Sequence, residues 1–322
     1  CHHLAYEAVL YANRMGIPIL IDIRDLWPDI FLDQLKRQSL IQLGRLFFAI
    51  DFHRLKNLLR RADSIIAVSH GYLNWGLTKA GRAANRWDRV FYLGYRTNEQ
   101  ESIRAKQQSV PDWLKIINKK LFVFIGTFGV SYELGLLLQV ARKMQVAGRN
   151  DVHFIIAGTG DQEEVLHHEA RGLLNVTFTG WIGKDTINIL LANSYAGLVP
   201  CRSIEHTLPN KPFEYLSYGL PLISSLQGEM ADLIDKYKFG LNYHAGNSDE
   251  LYHAIENLLD DHDLRERMSS SALAFSQEHG NAERIYKEYA SHIENLYYCF
   301  GRQSDPCNKH TKIMRNRYGS CQ

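Results

Sequence analysis

The sequence predicts an α/β fold of two Rossmann-like, doubly wound parallel-sheet domains facing a cleft, and three observations carry that prediction. Short runs rich in β-branched and aromatic residues recur along the chain: IPILIDI, SIIAVS, RVFYL, LFVFIGTFG, VHFIIAG, VTFTG, AGLVP and PLISS. They are apolar on both faces, as strands covered by helices on both sides must be, whereas half-exposed antiparallel strands alternate. Segments of helical period, such as LGLLLQVARKMQ and DELYHAIENLLDD, separate them, which is the βαβ alternation of a parallel sheet. Finally, 322 residues with 45% hydrophobic content exceed one core at roughly 100 to 200 residues per domain.

Taken in order, the chain starts at Cys1 directly in a helix, LAYEAVLYANRMG, followed by the strand IPILIDI. So abrupt a start leads to the expectation that an N-terminal portion is missing and that the first domain is incomplete. A D-L-W-P turn follows, and then RLFFAIDFHRLKNLLRRADS, which combines Phe47, Phe48, Leu55, Leu58 and Leu59 with Arg54, Lys56, Arg60 and Arg61. Such a helix either lies on an anionic membrane as a peripheral contact or turns its apolar stripe into the domain. After SIIAVS and RVFYL, the polar, charged stretch RTNEQESIRAKQQSVPDWLKIINKK reads as a linker. Domains are therefore expected over 1–117 and 118–300. The last stretch, 301–322, lacks apolar periodicity and reads as a basic, disordered tail.

Composition excludes several function classes. Thirty-seven basic against 35 acidic residues give a formal charge of +2, too weak a field to expect nucleic acid as a partner. The five cysteines, Cys1, Cys201, Cys299, Cys307 and Cys321, contain no C-x-x-C pair and are odd in number. Both points argue against a disulfide framework or a structural zinc site and favour a reducing, cytoplasmic setting. No apolar run reaches the roughly 18 residues of a membrane span. The adjacent pairs His2-His3 and His167-His168 do not share a helix face and make poor chelates, and no G-x-S-x-G elbow is present.

Three segments could carry chemistry. Strand LFVFIG runs into Gly126-Thr127-Phe128-Gly129 and strand HFIIAG into Gly158-Thr159-Gly160-Asp161. Glycine turns at the carboxyl ends of parallel strands present backbone N–H groups to anions. Neither is a G-x-G-x-x-G fingerprint or a P-loop, and each alone is equally a tight strand-to-helix turn. The third is LPNKPFEYLSYGLPLISS, where Pro209, Asn210 and Lys211 read as a turn, Phe213 to Ser217 as a helix opening, and Gly219-Leu220-Pro221 as its stop. Glu214 then either complements the helix dipole or accepts hydrogen bonds from a ligand.

The order FIGTFG, FIIAGTGDQEEVL, NVTFTGWIG, AGLVP, LPNKPFEYLSYGLPLISS and DLIDKYKFGLNYHAGNSDELYHAI resembles the C-terminal domain of family 4 glycosyltransferases of GT-B fold, over residues 119 to 295. Upstream, IDIRDLWPD and ADSIIAVS resemble the second half of that family's N-terminal domain. The resemblance implies retaining transfer of a sugar from a nucleotide-sugar donor, expected to be a UDP-sugar, to a glycan or lipid-linked acceptor in envelope polysaccharide assembly. Its chemistry passes through an oxocarbenium-like state with a departing diphosphate, so growing negative charge must be stabilised. By resemblance Glu214 receives the ribose hydroxyls, and the backbone at Thr207, Leu208, Pro209 and Asn210 faces the diphosphate or the transferred sugar. Lys211 is set to reach a phosphate, or is a solvated turn lysine. Gly126, Thr127 and Gly129 bound the diphosphate on its other side, with Gly158 and Gly160 in the neighbouring turn. Trp181 and Ile182 flank the nucleobase, unless Trp181 caps the sheet.

The pattern departs from the family in two places. A second glutamate common in relatives is replaced by His206, with Glu205 beside it, and TFGVSYELG lacks the arginine and lysine that often follow the first glycine turn. Positive charge must then come from Arg202, Lys211 and Arg24 or from helix N-termini. Arg24 and Asp25, after strand ILIDI, are candidate contacts to sugar or acceptor, and Asp25 can equally cap the turn before Trp27-Pro28. The catalytic candidates are thus Arg24, Asp25, His206 and Lys211. No D-x-D motif is present, so neither metal nor cofactor is expected. Two other readings stay open, a nonhydrolysing UDP-sugar 2-epimerase and a truncated, noncatalytic nucleotide-sugar-binding protein; product analysis and turnover separate them.

Overall fold

A computed structural model describes residues 2–33, 35, 37–96, 111, 119–202 and 208–300. The chain divides into two compact units, Cys1–Tyr92 with Tyr286–Gln322, and Leu93–Ile285. The first boundary thus falls at Tyr92/Leu93 rather than after residue 117. The expected linker lies largely, and the expected tail wholly, outside the described residues.

The N-terminal unit runs α1 (His2–Met15), β1 (Leu20–Ile23), α2 (Asp29–Asp33), α3 (Gln38–Phe47), α4 (Ala49–Arg60), β2 (Ser64–Ala67), α5 (His70–Ala80) and β3 (Arg89–Val90). Its three strands pair in parallel in the order β1-β2-β3, with Leu20 opposite Ser64 and Ile66 opposite Arg89. β2, SIIA, is buried at every position, as the central strand of a covered sheet should be. Ser69 starts α5 by accepting from the Tyr72 N–H, and Gly81, at φ 66°, ends it in the left-handed region. The stretch read as one amphipathic helix is two, broken at Phe48 (φ −89°, ψ 14°). Leu55, Leu58 and Leu59 of α4 are buried, so that part of its apolar stripe turns into the domain.

The C-terminal unit runs β4 (Lys120–Ile125), α6 (Leu134–Val146), β5 (Val152–Ala157), α7 (Glu163–Glu169), β6 (Val176–Gly180), α8 (Lys184–Ala192), β7 (Ala196–Val199), α9 (Asn210–Ser217), β8 (Leu222–Ser224), α10 (Glu229–Tyr237), β9 (Gly240–Asn242), α11 (Ser248–Asp260) and α12 (His262–His279). Its sheet is all parallel with order β6-β5-β4-β7-β8-β9. β5, VHFIIA, is buried throughout, and Phe122, Phe154, Val140, Met144, Ile255 and Leu258 fill the core between sheet and helices. The chain winds outward from β4 through β5 to β6, then returns to β7 on the other side of β4 and winds through β8 to β9. That reversal is a topological switch point between β4 and β7, and in open α/β sheets the crevice at the carboxyl ends of such strands is where ligands bind.

A final helix, α13 (Ala282–Phe300), begins in the C-terminal unit and belongs to the N-terminal one from Tyr286 onward. There Phe91 meets the rings of Tyr289 at 5.2 Å and His292 at 5.6 Å, and buried His292 Nε2 lies 3.2 Å from Ser64 Oγ. The C-terminal unit therefore stops at Ile285 rather than at 300: the apolar stripe of α13 is visible in sequence, but the sheet that it covers is not.

Candidate active site at the switch point of the six-stranded sheet

The two glycine turns meet at the carboxyl ends of β4 and β5. The Gly126 N–H donates to the Ala157 carbonyl (3.0 Å), the Phe128 N–H to Thr159 (2.9 Å) and the Gln162 N–H to Phe128 (3.1 Å), which knits the loops together. Gly158, at φ 139°, has the Gly126 carbonyl oxygen 1.8 Å from where a Cβ would stand, and a Cβ at Gly160 would come within 2.7 Å of the Phe128 backbone. These two glycines are required by loop-on-loop packing, which accounts for them without a ligand. Gly129 differs, since a Cβ there would meet no atom within 4 Å, and Thr127 beside it is exposed. Phe128, fully buried, pegs the turn into the core.

Across the switch point the strand β7 ends in Pro200, Cys201 and Arg202. The Glu133 N–H donates to Pro200 (2.7 Å) and the Arg202 N–H to Ser131 (2.9 Å), so the segment after β7 is tied to the one after β4. The Cys201 thiol is buried, and that burial pushes its pKa up to about 12, which leaves it inert. Arg202 is exposed and makes no ion pair with a described residue. Glu205, His206 and Thr207 lie outside the described residues. Leu208 is buried and Pro209 half-buried, leading into α9 at Asn210.

α9 begins earlier than the sequence suggested. Pro212 falls in its first turn, where the missing proline N–H would have had no helical partner. Glu214 consequently stands beyond the first turn, at a place where dipole complementation is weak. It is 6% exposed and, among the described residues of this unit, is the only buried acidic one. Its Oε2 accepts from Lys211 Nζ at 2.5 Å, one helical turn away, so the lysine read as a phosphate contact is here the counter-ion of the carboxylate.

What holds Glu214 in place is a residue that the sequence did not single out. Tyr215 is fully buried, and its hydroxyl accepts the Ile125 N–H at 2.8 Å. β4 pairs with β7 only at Phe122 and Val123, while the Gly126 N–H points to β5. By the alternation of a parallel ladder the Ile125 N–H faces the β7 side beyond the end of pairing, and the phenol supplies the missing acceptor. Burial raises the pKa of Tyr215 well above the ordinary tyrosine value, which keeps it neutral. The ring also rests on Gly197 of β7, where a Cβ would come within 2.4 Å of Tyr215 Cδ2. A tyrosine after a glutamate and a glycine in AGLVP are the only sequence signals of this contact, and nothing in them couples the two.

Trp181 follows β6 and is 78% exposed, so it does not cap the sheet; Ile182 beside it is half-buried. In the N-terminal unit Arg24 is committed to Asp22, with Nε and Nη2 each 2.8 Å from Oδ2, and Tyr289 donates to the same oxygen at 3.2 Å. Burial, with the Asp22 charge added, pushes the Tyr289 hydroxyl up to about 12. Asp25 Oδ1 accepts from the N–H of the next residue, Leu26, at 2.8 Å. The structure thus gathers the Gly126–Gly129 turn, Arg202, Leu208 to Lys211 and Glu214 around one switch point. Arg24 and Asp25 belong to the other unit.

Comparison with known proteins agrees with this geometry. Residues 119–261 match the family described as Glycosyl transferases group 1. Alpha-D-kanosaminyltransferase of Streptomyces kanamyceticus is 23% identical over 273 residues, 83% of this chain and 68% of that protein. O-antigen chain mannosyltransferase C of Escherichia coli is 25% identical over 202 residues, 62% of this chain and 52% of that protein, so the chain spans about half its length. Among solved structures, Anabaena Alr3699/HepE in complex with UDP superposes over 92% of this chain and 77% of its own with a TM-score of 0.72 at 16% identity. Sucrose-phosphate synthase of Thermosynechococcus elongatus covers 92% and 78% with a TM-score of 0.63 at 18% identity. With two parallel-sheet α/β units, the chain has the GT-B fold of these solved structures, and its residues 119–261 are similar to the glycosyltransferases of group 1.

Proposed function

We propose that the protein transfers a sugar, with retention at the anomeric carbon, from a UDP-sugar to a glycan or lipid-linked acceptor in cell-envelope polysaccharide assembly. The observation that carries the reading is Glu214, a buried carboxylate beside the switch point of a parallel sheet whose counter-ion is Lys211. A carboxylate so placed accepts two vicinal ribose hydroxyls through charge-assisted hydrogen bonds, and Lys211 remains able to swing toward a phosphate. The Gly126–Gly129 turn and the N-terminus of α9 face the diphosphate, Arg202 supplies positive charge as it departs, and Trp181 stacks on the base. The bound UDP of the Anabaena protein, of like fold, supports uracil as the base. The reaction is proposed to need no resident metal, which activity unchanged in excess EDTA would bear out, and to take place in the cytoplasm.

Calorimetric titration with UDP, GDP and ADP tests the donor reading. UDP is expected to bind most tightly, and Glu214→Ala to weaken it about 10- to 100-fold, the worth of a charge-assisted hydrogen bond. Equal affinity for all three nucleotides, or an unchanged affinity in the variant, would count against it. The anomeric configuration of the product, read by NMR, tests retention.

A further inference from the structure

We propose that α3, with the first turn of α4, is a docking surface for an anionic lipid bilayer. The inference is independent of the donor site. α3 carries no buried residue, although it is the most apolar-sided helix of its unit. Leu43 is 63% exposed, Leu46 74%, Phe47 79% and Ile50 67%, with Leu40 at 44%. Leu40, Leu43 and Phe47 follow the i, i+3, i+7 spacing of a single helical stripe, and the stripe continues to Ile50 in α4.

The opposite side of the helix is what fastens it. A Cβ at Gly44 would stand 2.5 Å from Leu32 Cδ2, so this small residue seats α3 against α2. Phe48 anchors the break between the helices, stacking on Phe31 at 5.9 Å and meeting Trp27 edge-on at 5.9 Å. Two adjacent phenylalanines thus take opposite fates, Phe48 packed against its own unit and Phe47 held out into solvent. A contiguous exposed apolar face of this kind marks an interaction site.

Charge identifies the occupant. Residues 34–50 contain Lys36, Arg37 and Arg45 and no carboxylate, and Arg54, Lys56, Arg60 and Arg61 follow against the single Asp51. Asp51 itself lies 3.4 Å from His3 of α1. Exposed leucine and phenylalanine side chains enter the boundary between headgroups and acyl chains, while guanidinium and ammonium groups reach lipid phosphates on flexible stems. A second copy of the chain is a poor fit, since a two-fold interface would set this cationic segment against itself. No helix among the described residues is long and apolar enough to cross a membrane, and the proposed contact needs none.

Cosedimentation of the full chain with phosphatidylcholine vesicles, with and without about 30 mol% phosphatidylglycerol, tests the proposal. The protein is expected to pellet with the anionic vesicles and to be released as salt is raised. Leu43→Glu/Phe47→Glu should lower the partition coefficient about tenfold or more, and Arg37→Glu/Arg45→Glu should do so with the apolar stripe intact. Val146→Glu, at a position 83% exposed in the other unit, should leave it unchanged. Circular dichroism melts matching the wild type would show that the variants are folded. Wild-type protein that ignores both vesicle types, or a Leu43→Glu/Phe47→Glu variant that binds like the wild type, would overturn the proposal. So would a wild-type dimer, without vesicle affinity, that this variant converts to monomer, since the face would then belong to a second copy.

Discussion

Replacing Tyr215 by phenylalanine removes one oxygen and leaves the ring on Gly197. The Ile125 N–H then loses its acceptor at 2.8 Å, in a place where the hydroxyl's residue is fully buried and Ile125 is 6% exposed. Water cannot take over, so the cost is that of an unsatisfied buried donor, about 1–3 kcal/mol, rather than the smaller net value of an average hydrogen bond. With a urea m-value of about 2 kcal/mol/M, the denaturation midpoint should fall by about 0.5–1.5 M at constant m. Hydrogen exchange gives a second reading: the Ile125 amide should lose protection by at least about tenfold, while the Gly126 amide, bonded to Ala157, keeps its own relative to the global stability. Because Glu214 adjoins Tyr215, nucleotide affinity should also weaken. A midpoint unchanged within about 0.1 M, with an Ile125 amide as protected as in the wild type, would refute the claim that the phenol terminates the β4 ladder and fixes α9.

Two further predictions follow from the C-terminal unit. Gly158→Ala should destabilise it by about 3 kcal/mol or more, seen as a lowered urea midpoint, because φ is 139° and the added carbon would stand 1.8 Å from the Gly126 oxygen. Stability should also fall on acidification through His153, whose pKa burial lowers from 6.5 to about 4. The unfolded chain binds a proton below about 6.5 that the folded chain refuses until about 4, so stability is full above pH 6.5 and declines across that window. The loss approaches about 3 kcal/mol in all. His153→Gln, which can keep a hydrogen bond to Thr177, should flatten the stability profile between those pH values; an unaltered slope would show that His153 is not its source.

Much of this protein was legible in the chain because parallel sheets write themselves locally. A strand covered on both faces must be apolar throughout, so FVFI, FIIA and GLVP announce β4, β5 and β7, and the helical stripes between them require a parallel arrangement. The glycine turns and Glu214 were also readable, as a resemblance in the order of motifs. Where α9 begins was not: Pro209, Asn210 and Lys211 read as a turn, yet the helix starts at Asn210 and tolerates Pro212 in its first turn. Nor could RLFFAIDFHRLKNLLRR show its break, because Phe47 and Phe48 are chemically alike and only the packing of Trp27 and Phe31 separates them. Local patterns in the chain set the α/β class, the strand succession and the residue types around the candidate site. The tertiary structure alone decided which sheet α13 covers, which glycines serve loop packing, what pairs with Lys211, and that a tyrosine hydroxyl completes β4. The first set depends on burial and periodicity, which are local properties of a segment. The second depends on contacts between residues distant in the chain, whose partners no local pattern names.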